Sequence, residues 1–267
     1  ITGEQQVTLT WQAPTFAGNA PITRYGIYRL ENGTNPKTVY TTNPSTTFVD
    51  DTVLPGNTYK YFVWAGNDAS LWGPYSDHSN EVTVIGVPGI PGTPTIQSRG
   101  DRTLTLAWAP PTNDGGAQVT SYQIERQASS DGSAWGAWST TKAGHNGTTF
   151  TDTGLTAGTY YRYRVAATNQ AGTGPTSSAS HSTRAITTPD APGKPNGERR
   201  DNSTLTWSWA APNSDGYAPI TNYQVQISAY DDASDTWGAW EAAGETSIRQ
   251  HTGSGFTPGQ HQRIRVA

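Results

Sequence analysis

The same sequence unit occurs three times in this chain. Trp11, Trp108 and Trp209 each precede a proline by three residues and a tyrosine by 14 residues. Units two and three are offset by 101 residues throughout, whereas unit two carries five more residues than unit one between its tyrosine and a later valine. Because a repeated sequence indicates a repeated folding unit, the 267 residues predict three modules in tandem.

Each unit has the pattern of short β-strands. Apolar residues alternate with others at a period of two in 7–11 and again in 161–167, and turn-forming clusters such as Asn113–Gly116 separate such runs. No stretch carries a sustained apolar stripe of helical period. Several half-buried strands in roughly 100 residues predict a small antiparallel sandwich.

Two longer motifs resemble a known family. The segment 111–122 reads P-x-x-D-G-G-x-x-V-T-x-Y, and 155–169 reads L-x-x-G-T-x-Y-x-Y-x-V-x-A-x-N. Both are similar to fibronectin type III domains, and the resemblance covers nearly the entire chain. It implies an all-β fold of three tandem fibronectin type III (immunoglobulin-like) β-sandwiches, in which strands A, B and E face strands C, C′, F and G.

The resemblance also implies roles for single residues. The three repeated tryptophans become core residues of strand B. Tyr59 and Tyr161 occupy the position of the tyrosine corner, whose hydroxyl ties the E–F crossing to strand F. Unit three has Gln262 at the aligned position, so we expect its corner to be altered or absent.

The same alignment predicts domains at 1–87, 88–188 and 189–267. We expect the start of strand A to be missing from the first domain and strand G to be missing from the third, with more of a longer protein on both sides. The joints at 87–89 and 188–190 are short and contain proline, which limits bending and predicts an elongated array.

Composition excludes several classes of function. The chain has no cysteine, only four lysines and a pI near 5.7, so it offers neither thiolate chemistry nor a basic surface for nucleic acid. No window approaches the 18 apolar residues of a membrane span. The five histidines lack metal-ligand spacing, and no G-x-S-x-G motif occurs. We therefore predict no enzyme activity, no catalytic residue, no metal and no cofactor.

One familiar tripeptide, Arg99–Asp101, spells Arg-Gly-Asp. It falls between strands A and B, where a tight turn favours Gly and Asp for their backbone angles. We interpret it as a turn.

Aromatic residues outside the predicted core are the better candidates for a ligand or partner surface. Residues three apart on a strand face opposite sides, which predicts that one tryptophan of each W-G-A-W pair is exposed. Exposed rings suit stacking on sugars or a protein interface, and the alternative is that they cover the sandwich edge or a joint. The candidates are Trp72, Tyr75, Trp135, Trp138, Trp237 and Trp240.

These observations predict a non-catalytic spacer or adhesive segment of a larger extracellular, cell-surface or virion protein, such as a phage tail or tail-fibre component. The alternative is the linker region of a secreted bacterial polysaccharide-degrading enzyme. The expected partners are other domains of the same longer chain, and a protein assembly or cell-surface glycan.

Overall fold

The computed structural model describes residues 6–199, 203–257 and 259–267, and every regular element in these ranges is a β-strand. No helix in the described residues has the length and hydropathy to cross a membrane. The strands of unit one are β1 (Val7–Thr10), β2 (Ile22–Glu31), β3 (Asn35–Tyr40), β4 (Thr47–Asp50), β5 (Thr58–Asn67) and β6 (Val82–Thr83).

Units two and three repeat this order. The strands of unit two are β7 (Thr95–Gly100), β8 (Thr103–Ala107), β9 (Ser121–Ser129), β10 (Ser139–His145), β11 (Thr149–Asp152), β12 (Tyr160–Asn169), β13 (Gly172–Thr176) and β14 (Thr183–Arg184). Those of unit three are β15 (Asn196–Arg199), β16 (Leu205–Ser208), β17 (Tyr223–Asp231), β18 (Thr236–Trp237), β19 (Glu241–Thr246), β20 (Gln250–Gly253) and β21 (Gln262–Val266).

Every unit consists of a smaller and a larger antiparallel sheet. The smaller sheets are β1–β4, β7–β8–β11 and β15–β16–β20. The larger sheets are β3–β2–β5–β6, β10–β9–β12–β13 with β14 beside β12, and β18 and β19 on β17 with β21. The predicted all-β sandwich class is therefore confirmed.

The repeated tryptophans lie between the sheets. Trp108 and Trp209 are 6% and 5% exposed, and Trp11 is half-buried. Each ring meets the repeated tyrosine of its unit edge to face, with centroid distances of 5.1, 5.4 and 5.5 Å. The spacing of 14 residues thus joins the two sheets of each unit through one aromatic pair, since the tyrosine is on the first strand of the larger sheet.

The tyrosine corner is present in units one and two. The Tyr59 hydroxyl accepts a hydrogen bond from the Leu54 amide at 2.8 Å, and the Tyr161 hydroxyl accepts one from the Thr156 amide at 3.0 Å. In unit three the side-chain amide of Gln262 instead donates to the Gln260 side chain at 3.1 Å. The predicted change in the third corner is confirmed.

A buried polar cluster lies beside each of these two corners. In unit one, Asp50 Oδ2 accepts hydrogen bonds from Arg29 and from the Tyr61 hydroxyl, both at 3.1 Å. In unit two, Asp152 Oδ2 accepts them from Arg126 at 2.8 Å and from the Tyr163 hydroxyl at 2.9 Å. Both aspartates and both tyrosines are at most 6% exposed.

Candidate functional surfaces

The candidate aromatic residues lie on the outer face of the larger sheet in each unit. Along β12, Tyr161, Tyr163 and Val165 belong to the core, so Arg162 and Arg164 point away from it. The same alternation places Phe62 and Trp64 of β5 on the outer face of unit one, and two arginines of β21 on that of unit three.

Unit one carries an aromatic patch of six rings. Tyr75 packs against Tyr28, Phe62 and Trp64, with centroid distances of 6.4, 6.3 and 4.7 Å. Trp72 lies 5.8 Å from Trp64 and 5.4 Å from Tyr40, and the Arg24 guanidinium is 4.9 Å from its ring centre. The patch is defined as Tyr28, Tyr40, Phe62, Trp64, Trp72 and Tyr75.

Glycines let these rings lie close to the sheet. A Cβ at Gly26 would come within 2.2 Å of the Trp64 ring, and one at Gly66 within 2.8 Å of the Trp72 ring. The rings thereby fill the space over residues that have no side chain. Tyr40, Trp72 and Tyr75 remain 58%, 38% and 62% exposed.

In unit two the tryptophans form a Trp–Arg stack with the arginines of β12. The Arg162 guanidinium lies 4.3 Å from the Trp135 ring centre and 5.6 Å from that of Trp138, and the Arg164 guanidinium lies 4.4 Å from Trp138. Glu125 Oε2 accepts a 2.6 Å hydrogen bond from Arg164 Nε. Each ring therefore gains a cation–π contact.

Unit three has a Trp–Arg stack of the same construction. The Arg263 guanidinium lies 4.5 and 4.6 Å from the ring centres of Trp237 and Trp240, and that of Arg265 lies 4.5 Å from Trp240. Arg265 Nε donates to Gln226 at 2.6 Å, at the position that Glu125 holds in unit two.

The prediction that the two tryptophans of a pair face opposite sides is wrong, because both contact the same guanidinium. One tryptophan of the pair is exposed in unit three, Trp237 at 37%, whereas Trp135 and Trp138 are both half-buried. The strand is interrupted between them. The Gly136 amide donates to the Ala128 carbonyl at 3.1 Å, and the Gln127 side chain donates to the Gly136 carbonyl at 2.8 Å. Gly238 has the corresponding bonds to Ala229 and Ser228. Regular alternation does not extend across this break.

The candidate residues predicted from the sequence did not include the arginines that stack on these tryptophans. Their signal was available: Arg162, Arg164, Arg263 and Arg265 alternate with core residues on β12 and β21. The sequence does not show that the segments 135–138 and 237–240 lie over the outer face of the larger sheet, where these arginines point.

A second candidate surface is the joint between consecutive units. At joint one, the amides of Gly86 and Gly89 donate to the carbonyls of Gly115 and Asn113, both at 2.8 Å. The Asn169 side-chain amide donates to the Gly86 carbonyl at 2.7 Å and is buried. The end of unit one is thus bound by two loops of unit two, the β8–β9 turn and the β12–β13 turn.

Joint two repeats the backbone bonds 101 residues later. The amides of Thr187 and Asp190 donate to the carbonyls of Gly216 and Ser214 at 2.9 and 3.0 Å. The ring of Tyr217 packs on the backbone of Gly158, and the Arg184 guanidinium lies 4.4 Å from its centre. The backbone donors and acceptors thus occupy equivalent positions in both joints, which indicates that the units are connected in one way.

Close backbone approach at the joints depends on glycine. A Cβ on Gly174 would come within 2.0 Å of the Pro88 carbonyl oxygen, and a Cβ on Gly115 within 2.2 Å of the Gly86 oxygen. Gly216 has the same relation to Thr187 at 2.1 Å. We therefore expect a larger residue at these positions to disturb the contact between the units.

Other motifs have structural explanations. Arg99–Asp101 lies at the hairpin between β7 and β8, and the Asp101 carboxylate accepts a 2.7 Å hydrogen bond from the Thr187 hydroxyl. The pKa of Asp131 lies well below its usual value because its carboxylate accepts the amides of Ser133 and Ala134 in a turn. In the described part of the chain, no group of three or more His, Cys, Asp or Glu could hold a metal ion.

Comparison with known proteins gives the following matches. Residues 89–183 match the fibronectin type III domain. Exoglucanase B of Cellulomonas fimi is 30% identical over 96% of this chain, and Endoglucanase B of the same organism is 30% identical over 82%. Fibronectin type-III domain-containing protein 3a of Gallus gallus is 29% identical over 64%. The chain spans 22%, 21% and 14% of the lengths of these three relatives.

Proposed function

We propose that the three units act as a non-catalytic spacer of defined geometry. Residues 89–183 match the fibronectin type III domain, and a sandwich of similar construction lies on each side of them. The observation that carries this proposal is the repetition of the joint. The same two backbone hydrogen bonds connect unit one to unit two and unit two to unit three.

The physical reason is that a joint made from backbone groups permits one arrangement. Two amide donors three residues apart must meet two carbonyls of a turn, and a proline lies between the donors in both joints. Proline fixes one backbone angle and so restricts the conformations of the linker. At joint one the Asn169 side chain adds a buried hydrogen bond. A spacer of this kind sets both the distance and the orientation of what it connects.

We further propose that the spacer belongs to an extracellular protein that acts on polysaccharide. Its support is the match to two glucanases of Cellulomonas fimi, one of which aligns with 96% of this chain. This setting was the alternative expectation from the sequence. The virion-surface setting stays a prediction that no relative reported above supports.

Distances between spin labels test the spacer. Because the chain has no cysteine, Thr42→Cys and Ser130→Cys place one label on each side of joint one at exposed positions. We expect a single narrow distance distribution, and Gly174→Ala should broaden it because the new Cβ meets the Pro88 carbonyl. Gly136→Ala is the matched control, since its Cβ meets only the Ala128 oxygen at 3.6 Å. A broad distribution in the unmodified joint would refute the proposal.

The aromatic patch of unit one supports a second candidate function, contact with a glycan. Tyr40, Trp72 and Tyr75 are exposed, and a groove of about 280 Å³ lies between Tyr28, Phe62 and Tyr75. Aromatic faces of this kind bind sugar rings. In the Trp–Arg stacks a guanidinium group lies against every tryptophan, whereas in the aromatic patch Arg24 lies against Trp72 and leaves Tyr40 and Tyr75 exposed.

Binding to insoluble glucan tests this candidate. We expect depletion of the chain from solution by insoluble β-glucan, and loss of depletion in Trp72→Ala with Tyr75→Ala. Trp138→Ala, which removes a ring of the Trp–Arg stack, should bind like the parent. Equal depletion of all three proteins would show that the aromatic patch does not bind glycan. Release of reducing sugar from the glucan by the purified chain would refute the non-catalytic assignment.

A further inference from the structure

The first unit presents the same two loops that bind a neighbouring unit at joints one and two. Its β1–β2 turn is equivalent to the β8–β9 turn, because the tyrosines that follow them, Tyr25 and Tyr122, are repeat positions. Gly18 and Asn19 have φ of 73° and 62°, and Gly115 and Gly116 have φ of 76° and 79°. The turn that accepts the joint hydrogen bonds is therefore already formed in unit one.

The acceptor atoms of this turn are available. Gly18 and Phe16 align with Gly115 and Asn113, whose carbonyls accept the two amides of joint one. Within the described residues, no hydrogen bond reaches the carbonyl oxygen of Phe16 or of Gly18. The backbone thus offers the same pair of acceptors.

The second loop of the joint is also present. Asn67 aligns with Asn169, and Gly73, which is also followed by a proline, aligns with Gly174 across a loop that has one residue more in unit one. A Cβ on Gly73 would meet only the Ala65 oxygen, at 3.7 Å, whereas one on Gly174 would overlap the carbonyl of Pro88. The space next to Gly73 is the space that the neighbouring linker occupies at joint one.

The surface between these loops is apolar. Phe16 is 73% exposed and Leu71 66%, and Trp72, which is also a ring of the aromatic patch, is 38% exposed. A docked module would therefore cover this one ring of the patch. The three residues line a cleft of about 520 Å³ together with Pro14, Ile22 and Pro74. Large exposed apolar side chains gathered at one place indicate a surface that a partner covers.

From this continuity with the two observed joints we propose that the β1–β2 turn and the 67–74 loop of unit one form a docking site for the terminal strand of another fibronectin type III module. The occupant is an extended segment with two amide donors three residues apart and a proline between them, as in 86–89 and 187–190. It adds a module to the array in the geometry of joints one and two. The inference rests on the proposed spacer function and extends it to a joint at the β1–β2 end of unit one.

An added module tests the proposal on the full chain. A second copy of residues 88–198 placed directly before Ile1 keeps the repeated tryptophan 20 positions after the joint proline, as Trp108 is after Pro88. Spin labels on the Ser130 of the added copy and on Thr42 report the new joint. We expect the single narrow distance that Ser130→Cys and Ser247→Cys report across joint two, because Ser247 is the unit-three equivalent of Thr42. Gly73→Ala should abolish it, while Gly136→Ala in unit two leaves it intact.

The outcomes separate this proposal from the spacer function. A broad distribution at the new joint beside a narrow one at joint one overturns the docking site alone, and so does an unchanged distance in Gly73→Ala. A broad distribution at joint one overturns the spacer itself.

A peptide decides the question if the added module does not fold. The peptide of residues 84–91, titrated onto the isotopically labelled chain, should shift the amide resonances of Phe16, Gly18 and Gly73. The same peptide N-methylated at its Gly86 and Gly89 lacks both donors and should leave them unchanged. Absent shifts, or equal shifts with both peptides, overturn the proposal.

Discussion

Units two and three share their strand order, their tryptophan–tyrosine pair and their Trp–Arg stack, but they fill the space between their sheets differently. Unit two places Arg126 opposite Tyr163 in register, with Asp152 between them. Unit three places Ile227 opposite Ile264 in the same register. One fold therefore accepts either a buried polar cluster or apolar residues at the same positions.

The apolar version is completed by aromatic rings. Gly253 stands where unit two has Asp152, and a Cβ there would come within 2.5 Å of Phe256. Phe256 packs edge to face on Trp207, whose position is a leucine in unit two. Phe256 thus lies against the position that the carboxylate holds in unit two, and a cleft of about 340 Å³ lies between Ile227 and Phe256.

The two arrangements should respond differently to change. Removing one member of a buried charged cluster leaves its partners without a hydrogen bond, whereas an apolar replacement of the whole cluster is often neutral or stabilising. We therefore expect unit two to be more sensitive than unit three to single substitutions and to pH. Fluorine resonances of 5-fluorotryptophan at Trp108 and Trp209 follow the two units separately in the intact chain.

The largest effect is expected from Asp152→Ala. It leaves the buried Tyr163 hydroxyl without its acceptor, which should cost unit two about 1–3 kcal/mol, and it removes the partner of Arg126, whose side chain is 30% exposed. The urea midpoint of the Trp108 signal should fall while that of Trp209 stays unchanged. Asp77→Ala, at an exposed aspartate, is the control. The triple change to the residues of unit three, Arg126→Ile, Asp152→Gly and Tyr163→Ile, should be less damaging than the single change, and a greater loss would contradict the comparison.

The second-largest effect is expected at alkaline pH, which should lower the free energy of unfolding of unit two. Burial, and then the nearby charge and hydrogen bond of Asp152, raise the pKa of Tyr163 far above its usual value. The stability linked to this group is complete below the unfolded pKa near 10 and is lost as pH rises toward the folded pKa, by at most about 1.4 kcal/mol per pH unit. Burial also raises the pKa of Tyr122, which acts in the same direction.

The measurement is the urea midpoint of the Trp108 signal between pH 8 and 11.5. Tyr163→Phe should reduce its fall above pH 10, and the same fall in this variant would assign the effect to another group. In unit three the hydrogen bond that the Tyr230 hydroxyl donates to Asp235, in an exposed loop, raises the pKa of Tyr230. Tyr230→Phe removes that contribution to the Trp209 signal.

The tyrosine corner gives a smaller expected difference. Tyr161→Phe removes the acceptor of the Thr156 amide, and the loss of one such hydrogen bond costs about 1 kcal/mol. Unit two should lose this amount by chemical denaturation, and its Thr156 amide should exchange faster with solvent. Gln262→Ala at the aligned position of unit three should change the Trp209 midpoint less. An equal loss in both units would show that the corner makes no special contribution.

The smallest effect concerns the Trp–Arg stacks. Glu125→Gln gives unit two the residue type that Gln226 provides in unit three, and it removes a partly exposed ion pair with Arg164. We expect a loss below about 1 kcal/mol that shrinks in high salt. Gln226→Glu should stabilise unit three by a similar amount, and no change in either unit would mean that the stack is held by ring contacts alone.

Much of this architecture could be predicted from spacing. The repeat and the resemblance predicted the three tryptophans as core residues, and in the structure each of them packs against the tyrosine 14 residues later. Tyr161 predicted a corner and Gln262 predicted its change. These features are local or repeat along one strand, so their positions in the sequence are sufficient to recognise them.

The side-chain partners could not be predicted in this way. The alternation rule placed Trp135 and Trp138 on opposite faces, and the break at Gly136 placed them on one. Arg126, Asp152 and Tyr163 lie on three different strands, and nothing in their separations of 26 and 11 residues indicates contact.

By itself, the sequence determined that this chain is built of three alike β-modules, because a period of two and a repeat of about 100 residues are properties of the chain alone. Only the tertiary structure decided which rings stack on arginine, which charges are buried together, and which loops bind the end of the neighbouring unit. These contacts join residues from separate strands, and their energies depend on distance and burial, which exist only once the sheets have packed.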